Sequence, residues 1–115
     1  MFTELTINGE TYNLRLTTRT SIALEKALGY NPLNMLMAME DGNVPKLTDM
    51  MIMLQYMLQS MHHGFNADKT MDLFDDYVAD GHSMLDLIPV FVEVFEKSGY
   101  ISKNDKNETE DDVKN

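Results

Sequence analysis

Between positions 3 and 16 the chain alternates apolar and polar residues, interrupted by Asn8-Gly9. That dipeptide suits a type I′ turn, where both central residues take positive φ. A two-residue loop there pairs Ile7 with Glu10, Leu5 with Tyr12 and Thr3 with Leu14. Leu5, Ile7, Tyr12, Leu14 and Leu16 then share one face, and Thr6, Thr11, Asn13 and Arg15 the other. Such a period-2 pattern predicts a β-hairpin. A lone two-stranded ribbon is marginal in water, so its apolar face should pack on helices.

Downstream the apolar period lengthens to that of helices, with capping residues marking the boundaries. The first helix follows Thr17-Thr18 and ends at Gly29. The second opens at Asn31-Pro32, an N-cap followed by proline at the first helical position, and stops near Gly42. The third runs from Leu47 or Thr48 to His63, before Gly64. The fourth is capped by Asn66 and ends at Gly81. The fifth is capped by Ser83, with Asp86 as capping-box partner, and ends at Ser98-Gly99. Pro89 lies inside it and cannot donate to the Leu85 carbonyl, which predicts a kink or a late start. The expected fold is mainly α (α+β): a short N-terminal β-hairpin packed on a bundle of about five helices.

Two helices are apolar over more than one side. The fifth has a wide arc of Leu87, Ile88, Val90, Phe91, Val92, Val94 and Phe95, which makes it the candidate for the enclosed helix. The third has a stripe of Leu47, Met50, Met51, Leu54, Met57, Leu58 and Met61 as its expected core face. Ile52, Met53 and Tyr56 are then assigned to its opposite side. With Met35, Met37 and Met39 on the second helix, they form a candidate partner-binding surface, since exposed apolar patches mark interaction sites. The fourth helix divides into an acidic side, Asp68, Asp72, Asp75 and Asp76, and an apolar side, Ala67, Met71, Phe74, Tyr77 and Val78. That is an ordinary amphipathic pattern with a solvated acidic face.

Composition narrows the function classes. The 115 residues suit one domain. The last fourteen, SKNDKNETEDDVKN, hold five acids, three lysines and only Val113 as a bulky apolar residue. Such a segment buries too little to offset its ordering entropy. The expected organisation is a single domain over 1–101 and a disordered acidic tail over 102–115. Net charge is −10, a poor match to nucleic acid or to anionic membranes. No apolar run is long enough to span a bilayer, and the N-terminus lacks a signal-peptide pattern. Cysteine is absent, so disulfides and thiolate chemistry are excluded. Eleven methionines, eight of them between Met35 and Met61, stand against no tryptophan. Methionine commonly fills core gaps, and it also recurs on surfaces that accept several partner shapes.

Catalytic or metal chemistry finds little purchase. His62 and His63 are placed in the last turn of the third helix, about 100° apart around its axis, which suits joint metal ligation poorly. His82 precedes the fifth helix. There is no HExxH, EF-hand loop, phosphate-binding glycine loop or nucleophile elbow. The aspartates of the fourth helix lack the apolar surroundings that raise a general acid's pKa. No enzyme activity, cofactor or metal is expected.

The order of motifs resembles a known family. The hairpin running into YNLRLTTRTSIALEKALGYNPLNML, then VPKLTDMMIMLQYML, then FDDYVADGHSMLDLIPVFVEVFEKSGY is similar to the tail assembly chaperones of siphophages and prophages of Gram-positive bacteria. Its most characteristic pieces are Leu14-Arg15-Leu16, Leu24-Glu25-Lys26 with Leu28-Gly29 and Asn31-Pro32, and Ser98-Gly99. The resemblance covers about residues 2–101. It implies a small, largely helical, non-enzymatic protein of the bacterial host cytoplasm. Such a protein coats the tape measure protein before tail tube protein polymerises around it, and is absent from the mature virion. It carries over no defined binding residues. Self-association is a further option for the same apolar surface. Two alternatives stand beside this reading: a structural tail or virion component, and an acidic protein-binding antagonist of a host factor.

Overall fold

A computed structural model describes residues 1–101, and the acidic segment 102–115 expected to be disordered lies outside them. Asn8 and Gly9 take φ of 52° and 83°, the left-handed pair that a type I′ turn needs, and reverse the chain between β1 (Thr3–Ile7) and β2 (Glu10–Leu14). The antiparallel register matches the pattern of side chains: Thr3 faces Leu14, Leu5 faces Tyr12 and Ile7 faces Glu10. Leu5, Ile7, Leu14 and Leu16 are buried and Tyr12 is half-buried. The apolar face therefore closes on the helices.

Five helices follow among the described residues: α1 (Thr18–Leu28), α2 (Pro32–Glu40), α3 (Leu47–Gln59), α4 (Ala67–Ala79) and α5 (Leu87–Ser98). Local chemistry sets most of their ends. Thr17 accepts the Thr20 amide, and the Thr20 hydroxyl in turn accepts the Thr17 amide. The Asn31 side chain caps α2 by accepting from Leu33, and Asn66 caps α4 by accepting from Lys69. Gly29 ends α1 in the left-handed conformation at φ 80°, donating back to Glu25 at 2.9 Å. Ahead of α5 the Asp86 carboxylate accepts the Ser83 amide at 2.9 Å. A single 3-10 turn, Met84–Asp86, then leads into the helix. Pro89 thus falls in the first turn of α5, where its missing donor leaves few bonds unmade. The late start is what the chain adopts.

Two expectations about packing are corrected. The enclosed helix is α3, not α5. No residue from Met50 to Ser60 is fully exposed, and α3 packs on α1, α4 and β2. Its core arc is Met50, Met53, Leu54, Met57 and Leu58. These positions follow the i, i+3, i+4, i+7, i+8 spacing of one helix face. Leu47 and Met61, placed in that stripe from the sequence, are exposed. Leu47 is the first residue of α3, and Met61 lies past its end. The helix stops at Gln59, four residues before His63, because Met61 and His62 both donate back to the Leu58 carbonyl and close the last turn.

Candidate functional site

Three of the residues nominated as a partner surface, Met53, Met35 and Met39, are buried and so cannot line it as the chain is folded. Met53 is fully buried, at 0% exposure, because it lies one turn from both Met50 and Met57 and shares their face. Met35 and Met39 are also buried, at 5% and 6%, since α2 turns them toward the core while Met37 faces out. Ile52 and Tyr56 are half-buried and pack against the core edge. Of the stripe on α3, Met53 is the interior member. It fills the centre of the domain, the commoner role of methionine.

Exposed apolar side chains are spread over the domain, Ile22, Met37, Val44, Leu47 and Leu85 among them, and on α4 two of them fall on one stripe. Thr70, Leu73 and Tyr77 face inward, and Phe74 is half-buried beside them. Met71 and Val78, read from the sequence as part of the apolar side, are 47% and 48% exposed. The helix carries two apolar stripes side by side, and the domain covers one. The other is Ala67, Met71, Phe74 and Val78, spaced 4-3-4, the repeat of a coiled-coil seam, with Phe74 packed partly on the core and the other three exposed. It runs roughly 16 Å along the helix.

One flank of this seam is a row of acids. At about 100° per residue, Asp68 and Asp75 lie directly beside it, with Asp72 and Asp76 further round. All four are exposed. Among the described residues Asp68, Asp72 and Asp75 have no ion-pair partner. Asp76 faces the hairpin, where its charge helps hold the Tyr12 hydroxyl above its ordinary pKa. The larger causes of that rise are the hydrogen bond to Glu10 at 2.9 Å and burial. Beyond the helix, Asp80 accepts the Asn8 amide at 3.0 Å, tying the end of α4 to the hairpin turn. His82 stacks on Tyr77, with ring centroids 4.4 Å apart. Its two nitrogens stand 3.9 Å from Asp80 and 3.7 Å from Asp86.

His62 and His63 lie beyond α3, not in its last turn. His62 Nε2 accepts the Asn13 amide at 3.1 Å, and its ring meets Tyr12 and Phe65 edge-on. That makes it a structural acceptor. Among the described residues no group of three His, Asp or Glu side chains is placed to share a metal ion. No described helix is long and apolar enough to cross a membrane.

A shallow groove of about 340 Å³ lies between α2 and the start of α3, lined by Tyr30, Asn34, Met35, Ala38, Val44 and Asp49 among others. Tyr30 donates to Asp49 at 3.0 Å across it. Burial first, then that hydrogen bond and the Asp49 charge, push the Tyr30 pKa up to about 12. The groove's polar groups are thus partly committed to each other, and the α4 seam is the less committed surface.

Sequence reasoning passed over the seam because it treated all apolar positions of α4 as one face. The available signal was the second inward set, Thr70, Leu73 and Tyr77, at spacings of three and four. A helix packed on one side cannot bury both stripes. Compared with known proteins, the chain matches a family of unknown function, DUF6096, over residues 4–115. No curated protein and no solved structure matches it.

Proposed function

The chain belongs to DUF6096, a family of unknown function, and we propose, on the resemblance of its motifs rather than on that membership, that it is a tail assembly chaperone of a phage or prophage. It holds the tape measure protein and keeps it competent for tail tube polymerisation, without catalysing a reaction. It acts in the host cytoplasm and is left out of the mature virion. Two lines support this reading: the resemblance over residues 2–101, and an apolar helical seam that the domain covers only in part.

The seam is the observation that carries it. A tape measure protein is long and helical, and its apolar stripes associate with one another unless something covers them. A short helical seam offers a replaceable partner for such a stripe. The net charge of −10 keeps the loaded complex soluble. A structural role in the tail tube fits less well. Tube subunits polymerise through extended sheets, and the described residues hold one two-stranded hairpin.

The test is co-expression with the tape measure protein encoded in the same genome, with capture through a tag on this chain. The expected result is a soluble complex that survives size-exclusion chromatography. Val78→Ser with Met71→Ser should weaken it while leaving the melting temperature of the free domain nearly unchanged. A tape measure protein that stays equally soluble without this chain, and does not co-purify with it, refutes the proposal.

A further inference from the structure

We propose that the α4 seam takes a partner helix whose own apolar stripe is flanked by lysine or arginine on the side facing Asp68 and Asp75. This rests on the reading of the chain as a chaperone for a helical protein, and gives the chemistry of the segment it holds.

Three features of α4 specify the occupant. Ala67, Met71, Phe74 and Val78 repeat at the spacing by which one helix packs on another, so the complementary shape is a helix. The exposed residues of the seam are Met71 and Val78, flanked by the smaller Ala67, which favours contact with side chains of varied shape. The two sides of the seam are unlike. One is closed by the body of the domain, through buried Thr70 and Tyr77. The other carries Asp68 and Asp75, with Asp72 behind them, and none of the three has an ion-pair partner among the described residues. A docked helix must therefore place one flank against carboxylates, and cations at that flank complete the pairing.

A second copy of the chain is a poor occupant. In a coiled-coil pair, Asp68 and Asp75 occupy the flanking positions that face one another across an antiparallel interface. Two α4 helices packed that way set aspartate against aspartate. A parallel pair would require the second copy's acidic flank to enter the side already filled by the domain.

The experiment uses the full chain and two synthetic helical peptides stabilised by a side-chain staple. Both carry leucine at the seam-facing positions. One has lysine at the flanking positions and the other glutamate. The wild-type chain should bind the lysine peptide at least tenfold more tightly in dilute buffer, and the preference should shrink in 0.5 M salt as screening shortens the reach of the charges. Asp68→Asn with Asp75→Asn should remove the preference without placing a cation in the first turn of α4. Asp68→Lys with Asp75→Lys should reverse it, with circular dichroism confirming the helix content.

Equal affinity for both peptides, binding of neither, or a preference untouched by the aspartate variants overturns the inference. Dimerisation of the free chain that Met71→Ser abolishes does so too, because the seam would then be self-complementary. The two readings can fail separately. A chain that discriminates the peptides but ignores the tape measure protein keeps the seam chemistry and loses the chaperone role. A chain that holds the tape measure protein but is indifferent to peptide charge and to Met71→Ser keeps the role and loses the site.

Discussion

The backbone amide of Arg15 donates to the Met57 carbonyl at 3.0 Å, and so joins the edge of the hairpin to the end of the central helix. Met57 lies in the last turn of α3, where carbonyls have no partner within the helix. The amides of Asn13 on β2 and of Arg15 just past its end point away from β1, because the paired register alternates inward and outward donors. His62 Nε2 receives the Asn13 amide and Met57 receives the Arg15 amide. The Ser60 hydroxyl adds a bond to the Arg15 carbonyl at 2.7 Å. One strand edge and one helix end thus satisfy each other, which keeps that edge from pairing with another chain.

This contact should be measurable. His62→Phe keeps a ring against Tyr12 and Phe65 but leaves the Asn13 amide without its acceptor. The expected cost is about 1–2 kcal/mol in urea unfolding, the range for an unmet, partly buried donor. Amide exchange at Asn13 should accelerate while that of the α5 core stays slow. Unchanged exchange at Asn13 would show that the bond does not hold the edge.

The interior role of Met53 predicts a contrast with its neighbour. Met53→Ala should cost about 2–5 kcal/mol through the cavity it leaves in a fully packed centre. Ile52→Ala, at the half-buried edge, should cost clearly less, because the site is partly solvated already. Thermal melts of the two variants decide it, and equal losses would contradict the burial described.

Thr3 offers a stabilising change. Its side chain is buried, and its Oγ1 has no hydrogen-bond partner among the described residues. Thr3→Val keeps the β-branched shape in β1 and removes the unpaired hydroxyl. Stability should rise by about 1 kcal/mol or stay level. A clear loss in chemical denaturation would mean that the hydroxyl has a partner in solution.

Alkaline titration probes the α2–α3 groove. The Tyr30 pKa is raised to about 12 by burial and by Asp49. A group raised in the folded state stabilises it below the unfolded pKa of about 10, and loses that contribution as pH climbs through the folded value. Tyr12, Tyr77 and Tyr100 are shifted upward as well, so stability should fall from about pH 10 upward. Phenolate absorbance should show Tyr30 ionising late, and Asp49→Asn should bring its transition down. A Tyr30 transition near pH 10 in the wild type would show that the groove is open to water.

The hairpin, its register and most helix ends could be read from the chain because each depends on a few adjacent residues. Asn8-Gly9 permits the positive φ that the turn requires, Thr17, Asn31 and Asn66 supply oxygens to free amides, and Pro89 forbids one helical bond. These are local energies that need no knowledge of distant segments. Which stripe of each helix faces inward is a different kind of question. α3 and α4 each carry more apolar residues than one face can bury, so periodicity permits more than one rotation about the helix axis. Packing of α3 on α1, α4 and β2 selected the rotation that hides Met53. It also left α4 with Met71 and Val78 in water beside a row of aspartates. The core closes by the contacts of all elements together, and burial of one stripe gains free energy only where another element is there to cover it.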